Sequence, residues 1–515
     1  MNILKLKQLI NTMKNRIFLD SYQKEYITFN EKNIKDTNNK FINSVNEILI
    51  EQTIMQPFIF GLSYLSNVLA DKYEAKILSF GNYGKMRDYS TEKIYKSFNV
   101  LNNIYDDKIL NKEILSVIKK EFNSIKTKND LLNYDYKGLN IGVDVYSTYL
   151  RVYDKATVDL NDNNVKRFFA KAIIMTEFWL EYFTKHKVKA VVVSHPCYIK
   201  SNIIAKVARL NKIIVYLFDG LYSLEIENVD FYQSKNFHDY LKIWNNLDEE
   251  EKITGINWAK NQLNRRFSGE VGVDMDYSKK SSFGKINYND RVLKQTSKPK
   301  ILICSHMFSD DPFCYGYFLF PDFYEWLEYL GKKSKELDYD WYIKMHPDYL
   351  KQTKLEIDKF LKKYPNIKML NPNVSHLQLI HEGINCVLTV YGTVGCEYPL
   401  FNVPVINAGN NPHIAFSFNY NPKTISEYEE YLEKIPKSKF VCDKNEIYKF
   451  YYVHHMYGKF CSIKNTKDDL VIKSYTKLKN DLGHANLYKN SAYLQFIKHV
   501  SNHVKENFKT IIENN

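Results

Sequence analysis

The side chains best placed for chemistry follow two apolar runs. Trp341-Tyr342-Ile343 leads into Lys344, Met345, His346, Pro347 and Asp348, and Thr389-Val390-Tyr391 leads into Gly392, Thr393, Val394, Gly395, Cys396 and Glu397. An imidazole at His346 can donate to a phosphate oxygen, and Lys344 adds positive charge beside it. Charge-assisted contacts of this kind stabilise a departing phosphate or diphosphate. Pro347 stops the strand and fixes the corner at which His346 stands. Gly392 and Gly395 let a phosphate approach the backbone, and a helix N-terminus offers N–H groups to an anion. Thr393 can cap such a helix or touch the phosphate. Glu397, in the first turn, suits the helix dipole and can bind ribose hydroxyls. A strand-end histidine or a capped helix also occurs without any ligand, so the pairing of the two carries the expectation.

Three further groups stand at strand ends. Ser305 and His306 follow Lys300-Ile301-Leu302-Ile303-Cys304, where His306 can meet phosphate or acceptor. His195-Pro196 is a second His-Pro corner and is assigned to the acceptor side. Asp219-Gly220 follows Leu217-Phe218; a carboxylate there can take a proton from an attacking hydroxyl, or Asp-Gly can simply make a turn.

These residues need a scaffold that presents strand ends on one side. Ala75–Phe80 reads as a strand after the helix-period stretch Phe58–Leu69. Lys189–His195, helix Ser201–Leu210 and strand Lys212–Leu217 make a βαβ unit, which implies a parallel sheet and a right-handed crossover. A second series begins at Lys300–His306. It continues through helix Tyr324–Leu337, strand Asp340–Lys344, helix Lys351–Lys363, strand Ile367–Leu370, helix Ser375–Glu382, strand Cys386–Val390, a helix after Gly395 and strand Val403–Asn407. Between Lys242 and Lys300 the periodicity fades, and Ser278–Lys285 reads as a linker.

The expected fold class is α/β, with two Rossmann-like domains facing a cleft (GT-B type) and a helical C-terminal tail. The divisions are 1–40, an N-terminal helical segment; 41–240, an acceptor domain; 241–298, a linker or excursion; 299–425, a nucleotide-donor domain; and 426–515, a helical segment. In open sheets of this kind ligands bind beyond the carboxyl ends of the strands, where the residues above stand.

Bulk properties agree with this class. At 515 residues more than one core is expected. A hydrophobic fraction of 44% and a charged fraction of 25% are globular values. A net charge of +13 favours anionic partners, but the positive charge lies in short pairs such as Lys119-Lys120 and no nucleic-acid motif accompanies it. Seven cysteines without CxxC spacing argue against a disulfide framework and structural zinc, and fit a reducing cytoplasm. No signal peptide and no transmembrane run are visible. Ile3, Leu6, Ile10, Met13 and Ile17 lie at helical spacing among lysines, so peripheral contact with the inner face of a membrane is an alternative to ordinary packing.

The His-Pro corner, the stretch Thr393 to Pro399, Val403-Pro404-Val405-Ile406 and the segments Ser305–Pro312 and Leu319–Leu327 resemble the C-terminal halves of bacterial capsule and surface-polysaccharide biosynthesis proteins, Kdo transferases among them. Sialyltransferases that use CMP-sugars have a similar His-Pro motif, paired with an acidic-Asp-Gly motif; here Phe218 stands before Asp219. The resemblance implies a glycosyltransferase with a nucleotide-sugar donor, a CMP-sugar among the candidates, and a glycan or glycolipid acceptor. It implies His346 on the leaving phosphate and Asp219 as general base. No cofactor and no metal are expected, and no Asp-x-Asp motif sits at a suitable strand end. A UDP-N-acetylglucosamine 2-epimerase shares the layout but has paired glutamates not seen near Glu397. A phosphotransferase using a CDP-linked donor, as in teichoic-acid polymerases, and a non-catalytic assembly subunit are the alternatives.

Overall fold

Among the described residues, short runs of β-branched and aromatic residues build two large sheets, and β4 and β5 form a separate antiparallel pair. The strands are β1 (Asn46–Glu51), β2 (Lys76–Phe80), β3 (Val100–Ile104), β4 (Asp135–Tyr136), β5 (Leu139–Asn140), β6 (Lys187–Val193), β7 (Ile214–Asp219), β8 (Tyr222–Ile226), β9 (Lys300–Cys304), β10 (Asp340–Lys344), β11 (Ile367–Met369), β12 (Cys386–Thr389) and β13 (Val405–Asn407). This computed structural model describes residues 18–34, 41–53, 56–81, 89–105, 112–194, 196–219, 222–226, 237–274, 280–345 and 351–456, with positions 498, 502, 504–506, 508–509 and 512–513 of the last stretch.

The first sheet has the order β3-β2-β1-β6-β7-β8 and the second β11-β10-β9-β12-β13. All pairings within them are parallel except β7 with β8, which run antiparallel with Asp219 opposite Tyr222. In each sheet the chain starts in the middle, moves outward by two strands and returns to the other side. The order therefore reverses between β1 and β6, and between β9 and β12. Those reversals open the crevices in which doubly wound sheets bind ligands.

The strands are apolar on both faces because helices cover both. β10 is buried at every position. One core on the first sheet is formed by Ile48, Ile50 and Val192, and the opposite one by Leu49, Val191 and Val193. The second sheet divides in the same way, with Ile301, Ile303 and Trp341 on one face and Leu302, Tyr342 and Val387 on the other. Each large side chain removed from water there contributes about 1.5–3 kcal/mol.

The α/β class and the two Rossmann-like domains expected from the sequence are the observed architecture. Within the stretch expected to be a linker, Tyr240–Asn245 and Glu249–Phe267 are helices. The longer of them buries only Gly255, Ala259 and Leu263, so its apolar stripe is too sparse to announce itself. It packs against helix Lys444–Met456, with Tyr452 seated on Gly255. Val504, Phe508 and Ile512, spaced one helical turn apart, are buried in the first core, where Phe508 meets Phe218. The C-terminal segment thus contacts both halves. The amphipathic stretch proposed for membrane contact, residues 1–17, lies outside the described residues. Among the described residues no helix is long and apolar enough to cross a membrane.

The two carboxyl edges meet. The loop after β9 reaches helix Gly142–Tyr153 of the first half, where Ser147 donates to Asp311 at 2.7 Å and Tyr146 to Asp322 at 2.5 Å. Asp322 caps helix Phe323–Glu336 with its other oxygen, so one carboxylate both starts a helix and joins the domains. Cys197 and Tyr198, after β6, lie within the field of Asp310 and Asp311. Tyr391, after β12, donates to the Asp311 carbonyl at 3.1 Å.

Burial pushes the Asp311 carboxyl up to about 7, against the bonds from Ser147 and the Phe313 amide; Asp310 and Asp144 add to the rise. A raised acid pKa means that ionisation opposes folding. The penalty is absent below the unfolded value of about 3.9, grows with pH and is complete above the folded value. Asp311→Asn keeps an acceptor for both donors and removes the charge. Its stability relative to the parent is expected to improve by about 2 kcal/mol between pH 5 and pH 8, measured by urea unfolding. A pH-independent difference would contradict this.

Candidate functional site

The reversal between β9 and β12 gathers Ser305, His306, Lys344 and the turn from Val390 to Glu397. β9 and β10 end together because the Ser305 amide donates to the Lys344 carbonyl at 3.2 Å, and the Ser305 hydroxyl approaches the same oxygen at 3.4 Å.

His306 is held from three sides. Its ring stacks on Phe323 at 4.7 Å and lies 4.6 Å from Tyr391. Its Nε2 accepts the Val390 amide at 3.2 Å and stands 3.1 Å from the Thr389 hydroxyl. A nitrogen that accepts an amide proton carries none, so His306 is the neutral Nδ1–H tautomer. Its Nε2 therefore cannot donate to a ligand.

Lys344 is the most unusual charge in the region. It is 3% exposed at the last position of β10, and burial holds its ammonium below the usual lysine range. Its nearest polar partner is His376 Nε2 at 3.4 Å, and His376 Nδ1 lies 2.6 Å from the Tyr398 hydroxyl. Among the described residues no carboxylate is within ion-pair distance of it. The cost of burying this cation outweighs the attraction of the more distant Glu397, and an arriving anion lowers it.

The other cation is Arg266, from helix Glu249–Phe267. It pairs with buried Glu397 at 2.6 Å and reaches the Thr393 hydroxyl at 3.3 Å, while Nη1 donates to the Val273 carbonyl. Glu397 is therefore engaged as an anchor. The expected helix after Gly395 is one turn, Val394–Glu397, followed by a 3-10 turn, Tyr398–Phe401. The amides of Gly395, Cys396 and Glu397 are used within it, and the Gly392 amide donates to the Thr389 hydroxyl at 3.2 Å. Positive charge for an anion thus comes from Lys344 rather than from a long helix dipole.

The two glycines are required sterically. A Cβ at Gly392 would stand 2.7 Å from the Thr389 hydroxyl, closing the turn against its own strand. A Cβ at Gly395 would stand 2.5 Å from His413 Cε1, so what approaches that glycine is a buried imidazole. Gly395→Ala is expected to cost about 1–3 kcal/mol in chemical denaturation, with most of the loss recovered by adding His413→Ala. A fully stable single variant would show that the turn has slack.

Of the other candidates, His346 and His195 lie outside the described residues. Asp219 is described in its backbone, which ends β7 at the β7–β8 pairing. The reversal of the first sheet shows residues that no motif announced. Glu51, ending β1, accepts the Ser194 amide at 2.7 Å and hydroxyl at 2.9 Å and the Ser201 hydroxyl at 2.9 Å, and pairs with Lys200 at 2.9 Å. It ties β1 to the loop that carries position 195. Glu51, Arg266 and His376 are single residues in unremarkable local sequence, so only tertiary contacts identify them.

No family model matches the chain, and no curated protein matches it. Solved structures similar to it include KpsC, beta Kdo 2,4 transferase, from Thermosulfurimonas dismutans, at 12% identity and TM-score 0.30, over 53% of this chain and 85% of that one. The UDP-GlcNAc 2-epimerase from Neisseria meningitidis bound to UDP-GlcNAc follows at 11% identity and TM-score 0.23, over 79% and 98%. MurG from Acinetobacter baumannii stands at 10% identity and TM-score 0.20, over 80% and 91%.

Proposed function

We propose that this chain is a glycosyltransferase that uses a nucleotide-activated sugar in capsule or other surface-polysaccharide assembly. The observation that carries the proposal is the buried ammonium of Lys344, at a strand end beside the reversal point of the second sheet, with no carboxylate within ion-pair distance among the described residues. A phosphate of the donor supplies the missing counter-charge.

In the reaction the acceptor oxygen bonds to the anomeric carbon while the bond from that carbon to the phosphate oxygen breaks. The electron pair leaves on the phosphate. Lys344, with His346 two residues on, stabilises that charge without a metal ion. His306, held by the Val390 amide and the ring of Phe323, lines the phosphate side of the turn. The Arg266–Glu397 pair fixes the turn on which Gly392 and Thr393 stand. The proton of the acceptor hydroxyl passes to a carboxylate of the first half, where Asp219 is the candidate. The acceptor is a glycan or glycolipid met at the cytoplasmic face of the membrane.

The test is a transfer assay with CMP-, UDP- and GDP-sugars and a lipid-linked glycan acceptor. The expected result is a new glycosidic bond and one nucleotide released per transfer. A phosphodiester in the product would contradict glycosyl transfer.

A further inference from the structure

The two halves are tied at two buried carboxylates, and the ties are unequal. Asp322 takes the Tyr146 and Thr157 hydroxyls on one oxygen, each at 2.5 Å, and the Glu325 amide on the other at 2.8 Å. Lys128, which pairs with Glu325 and reaches Thr157, adds positive charge beside it. Asp311 takes the Ser147 hydroxyl at 2.7 Å and the Phe313 amide at 3.1 Å, both on the same oxygen. It is 4% exposed, and among the described residues no cation pairs with it.

The groups around Asp311 leave its ionisation uncompensated. On helix Gly142–Tyr153, Asp144 adds like charge and holds Lys206 to itself at 2.8 Å, while Arg151 lies 3.8 Å from Asp310. Asp310, next in the chain, adds like charge as well. Cys314 on the same loop, Cys197 and Tyr198 after β6, and Tyr391 after β12 stay neutral, because burial pushes each of these thiols and phenols up. A neutral Asp311 keeps both of its bonds. An ionised one is a buried charge among like charges, and access to water lowers its cost. The same loop steadies the glycine turn: the Tyr391 hydroxyl donates to the Asp311 carbonyl at 3.1 Å, the Tyr391 ring lies 4.6 Å from His306, and Gly392 follows directly.

We propose that the Ser147–Asp311 contact is a proton-controlled latch between the two halves, acting on the glycine turn through Tyr391. While Asp311 carries its proton, the loop after β9 stays on helix Gly142–Tyr153 and Tyr391 is fixed. When the proton leaves to water, the carboxylate draws the loop off that helix and the turn loosens with it. Asp322, better supplied with donors, keeps the halves joined. Opening is independent of pH below the ordinary carboxylate value of about 3.9. It grows about tenfold per pH unit as the one proton is lost, and levels off above the closed-state value of about 7. The latch does not depend on the transferase reading, since its ties are protein groups alone.

The test is hydrogen–deuterium exchange of the full chain between about pH 5 and about pH 8, with Asp311→Asn as the reference at each pH, so that the intrinsic pH dependence of exchange cancels. Asparagine keeps an acceptor for both donors and cannot ionise. Relative to it, parent peptides covering 142–153, 306–316 and 389–397 are expected to exchange at least about tenfold faster at the upper pH than at the lower. Peptides covering β6 and β10 are expected to show no such change. Ser147→Ala cuts the latch from the other half and is expected to speed exchange of the same three peptides already at the lower pH. If Asp311→Asn does not fold, Ser147→Ala carries the test. A parent-to-variant ratio that stays constant with pH, acceleration over the whole chain, or a glycine turn that does not follow the interface would overturn the proposal.

Discussion

Lys344→Met is expected to be at least as stable as the parent while losing most of the site's affinity for phosphate-bearing ligands. The two effects have one cause. The ammonium is desolvated, with His376 Nε2 beside it, and its pKa is lowered by burial. For a base with a lowered folded pKa the penalty applies while the group is protonated and fades as pH rises through the folded value toward the unfolded one. Methionine fills the same space with no charge, so the variant escapes the penalty at neutral pH. A charge-assisted bond to phosphate is worth about 1.5–3 kcal/mol, which corresponds to roughly ten- to hundredfold in affinity. Thermal melts with and without pyrophosphate check both halves. In the parent, pyrophosphate should raise the melting temperature beyond what chloride of equal ionic strength does; in the variant that difference should vanish. A variant strongly destabilised without ligand would mean that Lys344 is a structural partner.

Arg266→Ala is expected to be among the most damaging single changes at the site, costing about 3–5 kcal/mol. It strands the Glu397 carboxylate, 2% exposed, without its counter-ion. The guanidinium also reaches Thr393 and the Val273 carbonyl, so helix Glu249–Phe267 and the glycine turn loosen together. Adding Glu397→Gln should recover much of the loss, because the isolated charge is gone. A cycle in which the double variant is as unstable as Arg266→Ala would show that packing, rather than the pair, holds the helix. Either variant should also weaken nucleotide binding if the turn positions the phosphate.

Much of the second half could be read from sequence because its strands and helices alternate with little interruption. β10 and helix Lys351–Lys363 fall at the expected residues, and β9 and β12 differ only at their ends. Periodicity failed where burial is shared unevenly. β1, the central strand of the first sheet, carries Glu47 and Glu51 in NEILIE, and charge at both ends hides a strand whose middle is core. Helix Glu249–Phe267 buries one small stripe against another helix. The chemistry followed the same division. Lys344, Gly392 and Thr393 announce themselves by strand-end position. The roles of Glu397 and Gly395 depend on Arg266 and His413, residues far away in the chain, and no local pattern names such partners. Asp311 could be seen as one of an acidic pair; that it lies buried between two domains could not.

The most direct test of the account is calorimetric titration of the parent and Lys344→Met with UDP, CMP and GDP. The account predicts that at least one nucleotide binds the parent, and that the variant, with its melting temperature intact, binds it ten- to hundredfold more weakly. Equal affinity in the two proteins, or no binding of any nucleotide to the parent, would contradict the claim that Lys344 marks the donor phosphate.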